Sequence, residues 1–250
     1  MPPRPADLQP RLALAVEAAR EAGRGTLEYF RRDDLDVELK CDDTPVTAAD
    51  RRAEEHLRQR IMAAFPEDGI VGEELAARPG TSGFRWILDP IDGTRNFSRG
   101  LPVWATLIAF ERGGAPTVGV VSAPALGRRW WAARGEGAFA AGRPIRVSGV
   151  ARLDAASVSC SLARDLAALE PRVWHARGIG DFWQHVLVAE RALDAAVDAP
   201  LALYDYAAFA VIVEEAGGRV SAPDGGAPRP GEPVISSNGL LHDDVLALIG

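Results

Sequence analysis

Between positions 8 and 30 apolar residues return every three or four places (Leu12, Val16, Ala19, Gly23, Leu27, Phe30), the spacing of one helical face, with Asp7 placed to cap its start. A charged turn over residues 31–36 leads to a short strand-like stretch. A second helix is predicted from about Ala48 to Phe65, where Pro66 ends it. The period then changes. Residues 85–88, 103–110, 117–122 and 129–133 are short β-rich runs broken by Gly and Pro, the pattern of a meander. Beyond about Val150, apolar strands at 157–159, 195–197, 219–221 and 234–236 alternate with helical patterns at 182–192, 206–216 and 240–249, an α/β order. There is no internal repeat, and the one loose stretch, 223–233, is too short for a domain linker.

The most informative stretch, Trp86-Ile-Leu-Asp-Pro-Ile-Asp-Gly-Thr94, is a buried-looking strand that runs into two acids three positions apart. Pro90 restricts the turn and Gly93 permits close approach of a ligand. Asp89 and Asp92 can then point into one space lined by the Ile91 carbonyl and the Gly93 and Thr94 amides. Such a corner suits a hard cation beside a phosphate, but Asp-Pro and Asp-Gly are also ordinary turn pairs. Upstream, Gly72-Glu73-Glu74 again puts acids at the end of an apolar run, although a Glu pair is usually surface charge. Asp50, in Thr47-Ala-Ala-Asp50, matches a capping box, and Asp205, ahead of an apolar helix, reads as an N-cap. Each acid has a structural account as well as a chemical one.

Composition narrows the classes. With 250 residues, 47% hydrophobic and 25% charged, the chain can bury a substantial core. A net charge of −7 and a pI near 5.2 repel polyanions, which argues against nucleic acid as a partner. No apolar run has signal-peptide or membrane-span length, so no membrane association and a cytoplasmic location are expected. Cys41 and Cys160 stand far apart and read as reduced thiols; Lys40 would lower the Cys41 pKa, but nothing supplies a His partner.

Residues 40–50, Gly72-Glu73-Glu74, residues 86–97 with the string Asp-Pro-Ile-Asp-Gly-Thr-x-Asn-Phe, and residues 205–218 stand in the order and approximate spacing of the inositol monophosphatase family. The chain resembles that family over nearly its whole length. The resemblance implies an α/β (α+β) fold, a layered αβαβα sandwich of the sugar phosphatase type. Residues 1–142 would form an α+β half carrying most metal ligands, residues 143–250 an α/β half, together one catalytic unit. It implies a Mg²⁺-dependent phosphomonoesterase with two or three ions per subunit, Mn²⁺ as a substitute, sensitivity to Li⁺, and a homodimer. Glu73, Asp89, the Ile91 carbonyl, Asp92 and Asp205 would be the metal ligands. Asp50 and Thr94, with Glu73, would orient and activate water without a covalent phosphoenzyme, and the Gly93 and Thr94 amides would bind phosphate. Physical chemistry agrees, because five carboxylates cannot share a poorly solvated pocket without counter-charge. All-oxygen donors favour Mg²⁺ or Mn²⁺ over zinc. His56, His175, His185 and His242 show no metal-ligand spacing and read as structural or surface residues. One departure is Tyr204, where the family usually has Trp before the last metal-binding Asp.

Residues 96–109, 128–138 and 177–183 resemble the histidinol-phosphate phosphatases within this family, particularly the actinobacterial type. Inositol-directed relatives usually carry a small residue such as Ser where Asp181 stands. A carboxylate there would pair with the ammonium of L-histidinol phosphate, whereas a cyclic polyol wants neutral partners. Asp181 is the candidate for the amine, and the structural alternative is that it caps a helix beginning at Phe182. Asn96 and Arg177 are candidate substrate contacts for which a structural role stays open, and Trp130 and Trp131 read as core or subunit packing. The alternatives are the same chemistry on inositol 1-phosphate or another sugar phosphate, and a catalytically silent metal-binding or interaction protein on the same fold. No Gly-x-Gly-x-x-Gly follows a strand, which sets dinucleotide binding aside.

Overall fold

A computed structural model describes residues 5–32, 37–39 and 45–249; Lys40, Cys41 and part of the charged turn lie outside them. In chain order the elements are α1 (Pro5–Leu27), β1 (Val37–Leu39), β2 (Pro45–Thr47), α2 (Ala48–Ala64), β3 (Gly69–Gly72), β4 (Phe84–Asp92), α3 (Thr94–Ser98), β5 (Ala105–Arg112) and β6 (Ala115–Ala123). They continue with β7 (Arg128–Ala133), β8 (Gly137–Ala140), β9 (Arg143–Ile145), β10 (Ser157–Cys160), α4 (Ala163–Leu169), β11 (His175–Arg177), α5 (Asp181–Ala189) and β12 (Ala195–Leu201). Last come α6 (Leu203–Glu215), β13 (Arg219–Ser221), β14 (Glu232–Ser237) and α7 (His242–Ile249).

Side-chain alternation on two sheets stacks these elements in five layers. In the seven-stranded sheet, β3 to β9 in sequence order, Trp86, Leu88, Ile108, Phe110 and Val120 face α1 and α2. Their neighbours Ile87, Leu107, Ala109 and Val121 point the other way, into a core shared with α5 and α6. The five-stranded sheet runs β11-β10-β12-β14-β13; Ala196 and Val234 face that same middle layer, while Val158, Ala195, Val197 and Ile235 pack with Leu169 of α4 and Val245 of α7. This is the αβαβα sandwich. The middle layer explains why α6 lacks an amphipathic pattern: Tyr206 to Val213 are all buried, because a helix between two sheets has no wet face.

Some local expectations change. Asp7 falls inside α1 and not ahead of it. The first sheet extends to Ile145 in β9, three residues past Gly142. β8, β9, β11 and α4 are only three to seven residues long, too short for a period to declare itself. Trp130 is fully buried and Trp131 stacks on Phe139, so both serve packing.

The buried His242 gives the C-terminal layers a pH dependence. Ser221 Oγ donates to the Ala222 carbonyl at 2.8 Å, so it accepts from His242 Nε2 at 2.7 Å, and Nδ1 in turn accepts from Ser237 Oγ at 2.8 Å. Only neutral imidazole satisfies that chain. Burial, then the Arg219 charge, pushes its pKa down to about 4. The unfolded chain therefore binds the extra proton first, near pH 6.5, so the His242 contribution is complete above that value and declines as pH falls toward 4. Urea unfolding at pH 7.5 and pH 5 should show a larger loss for the wild type than for His242→Gln. Equal losses would refute it.

Candidate active site

A bulge brings Asp89 and Asp92 to the same side of the sheet. Three positions apart on a regular strand, they would face opposite ways. Asp89 lies opposite Leu107 and Asp92 opposite Ala105, so three steps on β4 match two on β5. Thr106 Oγ1 pins the extra residue by donating to the Pro90 carbonyl at 2.9 Å. Directly afterwards Gly93 adopts φ 84°, where a Cβ would also lie 2.9 Å from the Val103 carbonyl, so glycine is required for the turn into α3.

Neighbouring elements deliver the other acids. β3 runs parallel to β4, and the Glu73 amide donates to the Leu88 carbonyl at 3.2 Å, which sets Glu73 beside Asp89. Glu54 of α2 fixes this corner: it is fully buried, accepts from Arg58 Nε at 2.7 Å and takes the Glu74 amide at 2.8 Å. Asp50 and Asp205 each occupy the third position of a helix. The Thr47 amide donates to Asp50 Oδ2 at 2.8 Å, and the Ala202 amide to Asp205 Oδ2 at 2.6 Å. Asp205 is thus not the N-cap itself but reaches back to it.

One oxygen each from Asp89, Asp92 and Asp205 lies within 4.8 Å of the other two. Burial first, then the charges of Glu73, Asp92, Asp205 and Asp50, pushes the Asp89 carboxyl well above the usual range. Asp92 is pushed the same way by burial and by Asp181 and Asp205, against a 2.8 Å hydrogen bond from the Phe182 amide. Asp50 is raised by burial, opposed by its Thr47 bonds. Asp89 Oδ1 is buried without a hydrogen-bond partner, although a carboxylate oxygen is a strong acceptor. Oxygen donors, crowded charge and one unsatisfied buried oxygen together fit hard divalent cations.

The pocket has two poles. On one, the Thr94 hydroxyl lies 3.2 Å from Asp50 Oδ1 and 2.8 Å from the Ile91 carbonyl, so its single hydrogen has two acceptors in reach. On the other, Asp181 sits at φ 52° and does not cap its own helix; Asn96 Nδ2 donates to Asp181 Oδ2 at 2.7 Å. Burial, then the Asp198 charge, raises Asp181 to about 6. Arg177 is exposed and its guanidinium turns to His175. Cys160 is buried and its thiol pushed up to about 12 by burial, which leaves it unreactive.

Sequence reasoning missed Asp198 and Glu54, and it read His185 as structural or surface without its bond to Asp198. Asp198 closes the apolar run Ala195-Ala-Val197, the signal that drew attention to Asp89, and could have been found by it. Glu54 lies within a charged helix stretch and gives no such sign.

Fold and pocket together define a phosphoric monoester hydrolase, and the chain belongs to the inositol monophosphatase family, whose model matches residues 7–249. The histidinol-phosphatase of Mycobacterium tuberculosis is 47% identical over 249 residues, spanning 94% of this chain and 96% of its own. That of Chlorobaculum parvum is 43% identical over 261 residues, with 97% and 98% covered. Among solved structures, the Thermotoga maritima IMPase superimposes with a TM-score of 0.88 at 33% identity, covering 96% of each chain.

Proposed function

We propose that this enzyme hydrolyses L-histidinol phosphate to L-histidinol and phosphate with Mg²⁺ as cofactor. Water attacks phosphorus, the P–O bond to the alcohol breaks, and the alkoxide takes up a proton. The observation that carries the proposal is the second pole: Asp181, held by Asn96, and Asp198, bound to His185 one turn along α5, set two more carboxylates beside Asp92, which takes the Phe182 amide, on the side left for the organic part of a substrate. An ammonium group complements that charge, and a neutral polyol does not. Histidinol-phosphatases at 43–47% identity support the same reading.

Glu73, Asp89, the Ile91 carbonyl, Asp92 and Asp205 would hold the divalent cations. When bound, such ions offset the carboxylate charge, acidify water and stabilise charge on the transferring phosphoryl group. Asp50 and Thr94 orient the attacking water through Asp50 Oδ1 and Thr94 Oγ1, and Asp50 accepts its proton. The amides of Gly93 and Thr94, at the start of α3, bind phosphate oxygens. Asp181 takes the ammonium, and Asn96 serves by holding Asp181 in place. Arg177, turned to His175, closes over substrate only if it leaves that partner. The working form in this reading is a cytoplasmic homodimer.

A panel of L-histidinol phosphate, inositol 1-phosphate and fructose 1,6-bisphosphate, assayed with Mg²⁺ and with EDTA, tests this. Expected are loss of activity in EDTA, recovery with Mg²⁺, and kcat/KM at least about tenfold higher for the cationic ester, the scale of one charge-assisted bond. A preference for inositol 1-phosphate would reject the substrate.

A further inference from the structure

His185 lies on the face of α5 turned toward the five-stranded sheet and is fully buried. Its ring stacks flat on Phe209 of α6, with centroids 3.8 Å apart and planes 4° apart. Nδ1 lies 2.8 Å from Ser236 Oγ on β14 and Nε2 lies 3.2 Å from Asp198 Oδ2 on β12. A carboxylate only accepts, so Nε2 carries the hydrogen. Asp198 is itself almost wholly buried, and its other oxygen takes Ser161 Oγ and, at 2.9 Å, the Ala199 amide.

Asp198 therefore differs from the other acids of the pocket. Asp89 and Asp92 are crowded by like charge, whereas Asp198 is surrounded by donors on three sides and needs no cation to remain a carboxylate. Against the cost of burial, the hydrogen bonds from His185 and Ser161 hold it below the usual carboxylate range. His185 stands four positions along α5 from Asp181, so Asp198, bound to His185, lies within about one helical turn of Asp181, and the next residue, Phe182, gives its amide to Asp92.

We infer that His185 is a positioning residue for substrate selection: by donating Nε2–H to Asp198 it fixes a permanent carboxylate beside Asp181, and the two acids together receive the substrate ammonium. This deepens the proposed function and rests on its cationic substrate. His185 touches neither the phosphate nor the attacking water, so it acts on binding rather than on the chemical step. An apolar residue would leave Asp198 short of one donor and free to turn from the pocket. Glutamine keeps a donor close to where Nε2 sits.

The experiment compares wild type, His185→Met and His185→Gln on L-histidinol phosphate and on inositol 1-phosphate, with melting temperatures measured for each. In the Met variant KM for L-histidinol phosphate rises about tenfold, the loss of one hydrogen bond to a charged group, while kcat for both esters and KM for the polyol ester stay within about twofold. His185→Gln restores most of the KM. A KM for the cationic ester that does not change in folded His185→Met, or equal losses on both esters, overturns the inference. If His185→Met does not fold, ¹⁵N NMR of the wild type decides, with the His185 signal assigned by its absence in His185→Gln. Its Nε2–H resonance moves on saturation with L-histidinol and not with inositol; an unmoved resonance, or a ring protonated only at Nδ1, overturns it equally. The wild-type arm separates the two readings. No preference for the cationic ester removes the substrate assignment, whereas a preference that survives His185→Met removes only the role of His185.

Discussion

Asp89→Asn should lower kcat/KM by about 10³-fold or more while leaving the metal-free protein as stable as the wild type or more so. The two effects have one origin. Asp89 is fully enclosed, one of its oxygens has no partner, and four other acids raise its pKa. In the metal-free protein a charge there is costly, and an amide of the same shape removes it without opening a cavity. With cations present the same carboxylate becomes a ligand, and the amide forfeits most of the attraction. Thermal melts with and without millimolar Mg²⁺ separate these terms: the wild type should gain melting temperature on adding Mg²⁺, and Asp89→Asn should gain much less. Near-normal turnover, or an undiminished Mg²⁺ response, would exclude Asp89 from metal binding.

The rivalry between structural and chemical readings of the acids dissolves once both oxygens of each carboxylate are followed. Asp50 uses Oδ2 to close a capping box and turns Oδ1 to Thr94. Asp205 uses Oδ2 on the Ala202 amide and supplies an oxygen near Asp89 and Asp92. Asp92 uses Oδ2 to take the second amide of α5, that of Phe182, a cap supplied from 90 residues away. A helix start orients its acid at no loss of function, because capping occupies one side of the carboxylate only. Capping signals in sequence therefore do not count against a catalytic role.

Legibility followed the range of the interactions. The long periodic helices and the strands with several large apolar residues could be read, since each repeats one local pattern. The bulge at Pro90 could not, though Pro and Gly marked the place, because it is defined by register with β5. The order of the layers came only through resemblance. Asp198 and His185 stayed hidden for a related reason: their meaning lies in Ser161, Ser236 and Phe209, contributed by three other segments. Asp181 could be read as a cap or as a recognition group; its place inside α5 and its bond from Asn96 of α3 show that it does not cap that helix.

Gly119→Ala should be the most damaging single methyl added anywhere between the sheet and the middle layer. A Cβ on Gly119 in β6 would stand 2.1 Å from the Ala208 carbonyl oxygen and 2.9 Å from its carbon, so the obstacle is helix backbone and no side chain can rotate away. Either β6 or α6 must move. Overpacking of side chains alone costs about 1–3 kcal/mol, and a backbone collision belongs at or above the top of that range. For a chain of this size about 3 kcal/mol lowers the melting temperature by roughly 6–12 °C. Activity should fall further than stability suggests, because Ala208 is one turn along α6 from Asp205, and a shift of about 1 Å at a reacting group can cost about 10²-fold. Gly149→Ala is the control, since nothing lies within 4 Å of its Cβ, and it should match the wild type in both respects. Should Gly119→Ala melt and turn over like that control, α6 is not held against the sheet as tightly as this contact requires, and Asp205 is not fixed by it.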